Sequence, residues 1–206
     1  MRRVRTGAGR PGLRERRKIA TRQALSAAAL RLALEHGLEN VVIEDIADEA
    51  GVSLRTFRNY FSSKYEAICA PAADRAARIG DELRRQPPGD PLWKAITAAV
   101  LEHYEDRVTL DRESIAAFRL VTRAPAMRGE YLKVNSAMQR ILAEAIAERL
   151  GLDADRDLLP AVVAGAVVAA SQVAIQRWGD ADPPVSLRPL VQEALRQLPA
   201  ALAGES

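Results

Sequence analysis

The chain has little of what cofactor chemistry and oxidative folding require. It holds one cysteine, Cys69, so it can form no intramolecular disulfide framework and no cysteine-cluster metal site. A lone cysteine reads as a small buried residue of a cytosolic protein. Only two histidines occur, His36 and His103, and neither sits in the His–Glu–x–x–His spacing that puts two ligands on one helix face. The acidic text around one of them, Glu102-His103-Tyr104-Glu105-Asp106, reads as helix surface. There is no P-loop and no glycine-rich dinucleotide fingerprint. The sequence therefore predicts no catalytic residue, no metal and no cofactor, and not an enzyme. No apolar run follows the basic N-terminus, as it would in a signal peptide. The one long apolar stretch, Leu158 to Ile175, is interrupted by Pro160, Gly165, Ser171 and Gln172. It reads as a buried packing helix rather than a membrane span. The expectation is a cytoplasmic protein with no membrane partner.

Aromatic residues make up only 4% of the 206 residues while 48% are hydrophobic, so Ala, Leu, Val and Ile must supply the core. Ala and Leu favour helix, whereas strands draw on β-branched and aromatic residues. No strand-like alternation and no internal repeat is visible, and the fold class expected is all-α. Charge is unevenly placed. Residues 1–22 carry +8 (Arg2, Arg3, Arg5, Arg10, Arg14, Arg16, Arg17, Lys18 and Arg22 against Glu15), which leaves −5 in the rest of a chain whose total is +3. A basic arm on a mildly acidic body suits a polyanion held at one end, or a solubilising tail.

Residues 1–13, rich in Arg and Gly, are expected to be a disordered basic arm. Helical spacing begins at Glu15 and runs through Leu25, Ala28, Ala29 and Leu32 to a stop at Gly37. Short helices are predicted from Ile43 to Ala50 and from Ser53 to Phe61. Ser63-Lys64-Tyr65-Glu66 has the form of a capping box and opens a long helix to about Arg85. After the break at Pro87-Pro88-Gly89, Asp90 can cap a helix over 91–106 with Pro91 at its first position. Further helices are predicted over 111–123, 125–150, 153–178 and 187–203, about nine in all.

The most informative text is Ile43 to Phe61. Two helices of about two turns flank a tight turn at Gly51, which is helix-turn-helix construction. Ala47 and Ala50 are small where the helices must cross. Ile46, Val52, Phe57 and Phe61 can supply apolar knobs, and Ser53 can cap the second helix and is itself a candidate DNA contact. Arg55, Thr56, Arg58 and Asn59 then lie where such units enter the major groove. Arg matches the O6/N7 edge of guanine and Asn the edge of adenine. Tyr60 and Lys64 lie further along, suited to phosphates, and Arg16 and Arg17 belong to a basic segment that can follow the adjacent groove or backbone. A packing-only use of this motif is the alternative.

At these residues the sequence resembles the tetracycline-repressor (TetR) family. The matching text is Arg22…Leu25…Ala28…Gly37, Ile46-Ala47…Ala50-Gly51-Val52-Ser53…Thr56-Phe57…Tyr60-Phe61…Ser63-Lys64. The resemblance implies a three-helix DNA-binding domain over 14–70 and a helical effector-binding and dimerisation domain over 71–206. It also implies a homodimer that acts as a repressor and is released by a small molecule. Two positions depart from the family pattern. Val42 stands where Thr often precedes the second helix, with Asn40 as a candidate replacement, and Arg58 stands where many members carry an aromatic. In the C-terminal half, Leu120-Val121…Pro125-Ala126-Met127…Leu132, Ala147-Glu148-Arg149-Leu150-Gly151 and Arg177-Trp178 are similar to the actinobacterial subgroup that includes the mycofactocin-system regulator. That resemblance implies an apolar or amphipathic effector, of which an acyl-CoA is one form.

A symmetric reader needs two recognition helices about 34–36 Å apart, so a double-stranded palindromic operator and a homodimer go together. The Ala-rich helix over 158–178 and the final helix over 187–203 are expected to form that interface, or else to be internal core. Candidate pocket linings are Trp93, His103, Tyr104, Phe118, Met127, Tyr131, Met138 and Trp178, each equally readable as core. Arg112, Arg119 and Arg123 can meet an anionic head group or form a solvated face. Two rival functions stand beside the regulator. One is a small helical ligand-binding protein or enzyme that retains a non-functional helix-turn-helix; the other is an architectural protein bound to DNA by charge alone. In the regulator reading, the long helix from Ser63 is the natural lever between effector and DNA.

Overall fold

Helical spacing and punctuation lay out nine α-helices and two single 3₁₀ turns, with no strand among the described residues. The computed structural model describes residues 12–104, 112–183 and 185–203. The basic arm up to Pro11, the predicted helical residues 105, 106 and 111, the Arg112 side chain and Pro184 lie outside them. The described chain forms two compact units, one ending at Ile68 and the other starting at Cys69.

In the first unit α1 covers Leu13–His36, α2 Ile43–Glu49 and α3 Leu54–Tyr60, with a 3₁₀ turn at Leu38–Asn40. Helix α4, Lys64–Arg85, begins there. The second unit adds α5 (Leu92–Leu101), α6 (Arg112–Arg123), a 3₁₀ turn (Pro125–Met127), α7 (Arg128–Leu150), α8 (Leu158–Asp180) and α9 (Leu187–Ala203). Its core combines Ile79 and Leu83 of α4 with Ile96 and Val100 of α5, Leu142 and Ile146 of α7, Val167 and Trp178 of α8, and Val191 and Leu195 of α9. α8 is long and apolar enough to cross a membrane. It packs on α7 and α9 instead, burying Ala164, Val167, Val168, Ala174 and Trp178.

Several helix ends differ from the sequence reading: α7 starts at Arg128 rather than 125, after a 3₁₀ turn, α8 runs on to Asp180, and at three other ends a side chain competes for the backbone. α5 begins at Leu92, not Pro91, because Asp90 Oδ1 accepts from Lys94 Nζ (2.9 Å) and caps nothing. It ends at Leu101 rather than near 106: Arg188 of α9 donates to the carbonyls of Leu101 and Tyr104 and so satisfies the last turn. α8 begins at Leu158, not Asp153. Asp153 Oδ1 accepts from the amides of Asp155 (2.9 Å) and Arg156 (3.2 Å), a local turn that outcompetes helix. Pro160 falls in the first turn of α8, where its missing N–H costs nothing, whereas Pro71 lies inside α4 and removes one helical bond. The turn between α4 and α5 is gripped by Arg149 of α7, which donates to the carbonyls of Gln86 (3.1 Å), Pro87 and Asp90 (2.8 Å).

Two glycines mark close approaches. A Cβ on Gly80 of α4 would lie 2.4 Å from Ile141 of α7, and one on Gly179 of α8 would lie 2.2 Å from the Phe118 ring of α6. Each is a contact that only hydrogen fits.

Candidate nucleic-acid interface

Seven residues make too short a helix to persist alone, so α3 must be seated by its neighbours. Phe57 and Phe61 do this; both are buried, with ring centroids 5.9 Å apart. α2 packs on α3 and buries Ile46 and Ala47. The chain turns between the two helices at Gly51, whose φ of +66° is left-handed; no atom lies within 4 Å of where a Cβ would be, so the glycine is there for backbone freedom rather than for room. Val52 N donates to Ala47 O (2.9 Å) and Gly51 N to Asp48 O (3.0 Å), which closes the turn. Ser53 then caps α3: its Oγ accepts from Thr56 N (3.2 Å) and lies 2.9 Å from Thr56 Oγ1.

At 3.6 residues per turn, Arg55 and Asn59 stand on the far side of α3 from Phe57, with Arg58 beside them. All three are exposed, while Thr56 and Tyr60 are half-buried on the flanks. The edge therefore offers a guanidinium, a carboxamide and a second guanidinium, a donor and acceptor set suited to base edges in a major groove. Arg16 and Arg17 are exposed on α1.

Three polar side chains sit differently from the sequence expectation. Lys64, expected at a phosphate, directs its Nζ to the carbonyls of Leu38 and Val41, both at 2.7 Å. It ties the start of α4 to the turn before α2 and has one N–H left. Asn40 does not replace a cap on α2. Its Nδ2 donates to His36 O (2.8 Å) at the end of α1, and Val42 precedes α2 without a side-chain cap. In the capping box, Ser63 Oγ accepts from Glu66 N (3.1 Å) as expected, but the Glu66 carboxylate binds the amide and hydroxyl of Ser62, one residue early. Across the unit, Arg31 of α1 pairs with Glu49 of α2, and the Arg22 guanidinium lies 5.1 Å from the Phe61 ring centroid.

The second unit separates the candidate pocket residues. Tyr104 is buried, with the Arg75 guanidinium 5.6 Å from its ring centroid. Burial pushes the Tyr104 hydroxyl above its ordinary pKa; Arg75 opposes the shift, and Tyr131 lies near enough to add to it. Phe118 and Trp178 meet edge to face at 5.8 Å. Met127 is fully buried, and Met138 packs on the core. The buried Nε2 of His103 has no hydrogen-bond partner among the described residues. Trp93 lies apart, on an open groove of about 520 Å³ between α5 and α9. Arg119 and Arg123 are committed elsewhere: Arg119 donates from Nε (3.0 Å) and Nη2 (2.9 Å) to Gly179 O, and Arg123 pairs with Asp180. Both hold the end of α8 and both are exposed, as the solvated-face reading expected, with their guanidinium groups paired to Gly179 and Asp180 rather than free for a head group. Sequence reading missed Arg75. The available signal was its place in the helical stripe of Ile68, Ala72, Ala76, Ile79 and Leu83. Cys69 is buried, and its thiol is pushed up to about 11 by burial first and Glu130 second.

Comparison with known proteins agrees with this architecture. The family model described as "Bacterial regulatory proteins, tetR family" matches residues 25–67, and that described as "MftR C-terminal domain" matches residues 90–203. The HTH-type transcriptional regulator TcmR of Streptomyces glaucescens is 35% identical over 176 residues, covering 82% of this chain and 77% of that protein. SmeT, the repressor of the Stenotrophomonas maltophilia multidrug efflux pump SmeDEF, has a similar structure (TM-score 0.59, 18% identity, 88% of this chain and 91% of that one). SmeT has also been solved with triclosan. FadR of Thermus thermophilus, a TetR-family repressor solved with lauroyl-CoA, has a TM-score of 0.52 at 19% identity, over 85% of this chain and 91% of that one. The turn at Gly51, the exposed edge of α3 and the two family matches lead to one assignment: the chain belongs to the TetR family of DNA-binding bacterial transcription regulators.

Proposed function

We infer that this regulator is a cytoplasmic homodimeric repressor that reads a palindromic operator with the outward edge of α3 and is released by a small-molecule effector. The observation that carries this reading is the exposure of Arg55, Arg58 and Asn59 on a helix whose opposite side is locked by Phe57. Base contacts fall to these three, while Thr56 and Tyr60 suit the phosphate flanks. No catalytic step enters the reading. Replacing Asn59 by Ala is expected to lower the preference for a selected operator over a mixed-sequence duplex roughly five- to 150-fold, the value of one bidentate base contact. Anisotropy titrations at one fixed salt concentration measure this. An unchanged preference would leave a charge-only binder.

Dimerisation is supported by α8. Leu158 (80% exposed), Val162 (63%) and Val173 (51%) fall on one stripe with Gly165 and Ala169. A Cβ on Gly165 would meet nothing within 4 Å, so a second helix can approach there closely. α9 turns Leu187, Val191 and Leu195 inward, and its half-buried Leu190 and Leu198 are the apolar residues it can add to that interface. The double substitution Leu158→Glu with Val162→Glu is expected to yield a monomer by light scattering, with operator affinity lost. A dimer that survives it would move the interface off α8.

For the effector, support comes from Tyr104, which has the Arg75 guanidinium at its ring and Tyr131 close by, an aromatic setting beside a cation. It suits an amphipathic molecule with an anionic end, in keeping with the lauroyl-CoA of FadR and distinct from the triclosan of SmeT. Such a ligand releases DNA only by the difference between its affinities for the two states.

A further inference from the structure

The core-facing side of α1 is defined by Leu25, Ala28, Ala29 and Leu32, all buried. Helical spacing carries that side toward the N-terminus through Arg22 and Lys18 to Arg14, four residues apart each time. The stripe thus changes from apolar to cationic at Arg22. Arg22 is also where α1 reaches the end of α3, with its guanidinium 5.1 Å from the ring centroid of Phe61, the residue that closes α3. Lys18 and Arg14 follow one and two turns further out, about 5.4 Å per turn, and both are exposed. Helix α1 therefore overhangs the unit, and the side of the overhang that continues the core face carries cations. Arg16 lies on the opposite side of the helix, and Arg17 on its flank.

We propose that Arg14 and Lys18 form a rigid phosphate ledge, holding the backbone of the same duplex whose bases α3 reads, and that Arg16 takes no part in it. The proposal rests on α3 being the DNA-reading helix and specifies how α1 serves that site. The occupant is a double-stranded nucleic-acid backbone on two grounds. The ledge continues from the end of α3, and its charge complements a polyanion, with Glu15 the one acid in the first turn of α1. A helical ledge differs from a flexible basic arm because its cations are fixed in phase before binding, so position matters and not only charge.

The test uses the full chain and two labelled duplexes, one of mixed sequence and one enriched from a random pool by the protein itself. Each phosphate contact contributes about 0.9 to the slope of log affinity against log salt, roughly a 3.5-fold change between 50 and 200 mM. Arg14→Gln with Lys18→Gln is expected to flatten the slope by about two contacts per chain on both duplexes, with the preference between them unchanged. Arg16→Gln is expected to leave the slope at its wild-type value, and circular dichroism checks that α1 is intact in each variant. Equal flattening by Arg16→Gln, or no flattening by the double variant, overturns the ledge. Failure of the underlying reading looks different: the wild type would show no preference between the duplexes, and Asn59→Ala would change nothing.

Discussion

Phe57→Ala is expected to abolish duplex binding while both tryptophans keep their native emission. Phe57 is completely buried and is the one fully buried side chain within α3. Truncating a buried phenylalanine costs about 3–5 kcal/mol, and the lost pairing with Phe61 adds about 0.5–1.5 kcal/mol. Against a total stability of about 5–15 kcal/mol for an ordinary domain, that is enough to unseat a seven-residue helix. Trp93 and Trp178 both belong to the second unit, so their fluorescence reports on that unit alone. The expected pattern is lost anisotropy on any duplex, reduced far-ultraviolet helicity and unchanged tryptophan emission. Phe57→Leu, which keeps most of the volume, should retain binding. Wild-type affinity in the alanine variant would mean that α3 is held by something other than Phe57.

Gly179→Ala is expected to dislodge α6 from the end of α8. The added methyl would lie 2.2 Å from Phe118 Cε1 and 2.4 Å from Cδ1, and the ring cannot simply swing aside because Trp178 packs edge-on against it at 5.8 Å. Overpacking of this kind costs about 1–3 kcal/mol. Moving Phe118 also strains the two bonds from Arg119 to the Gly179 carbonyl, since both residues lie on α6. At about 2–4 °C per kcal/mol for a chain of this size, the melting temperature should fall by several degrees. Trp178 emission should shift to the red as its aromatic neighbour leaves. Gly179→Ala combined with Phe118→Leu should recover part of the loss. A melting temperature and emission indistinguishable from wild type would remove Phe118 from the account of why residue 179 is glycine.

The helix-turn-helix was legible because its determinants are local. Gly51, Ser53 and the spacing of Ile46, Ala47, Phe57 and Phe61 each act within a few residues of themselves, and the structure uses them in that way. The outward edge of α3 follows from periodicity once Phe57 points inward. Errors arose where one polar group had two local choices. Asp90 bound Lys94 instead of an amide, Asp153 closed a turn instead of opening a helix, and Glu66 reached Ser62 instead of Ser63. Such alternatives differ by about one hydrogen bond, and residue type alone does not rank them.

Alone, the sequence determined the all-α class, the nine helical segments and the position of the DNA-reading motif, because helical periodicity and turn chemistry are properties of neighbouring residues. Only the tertiary structure decided the partners of the long cationic side chains. Arg149 holds the carbonyls of the turn before α5, Arg188 ends α5, Arg119 ends α8 and Lys64 braces the turn before α2, across separations of 23 to 87 residues. The physical reason is reach. Periodicity fixes which face of a helix a guanidinium or ammonium occupies, but the carbonyl that receives it is brought there by packing of another part of the chain.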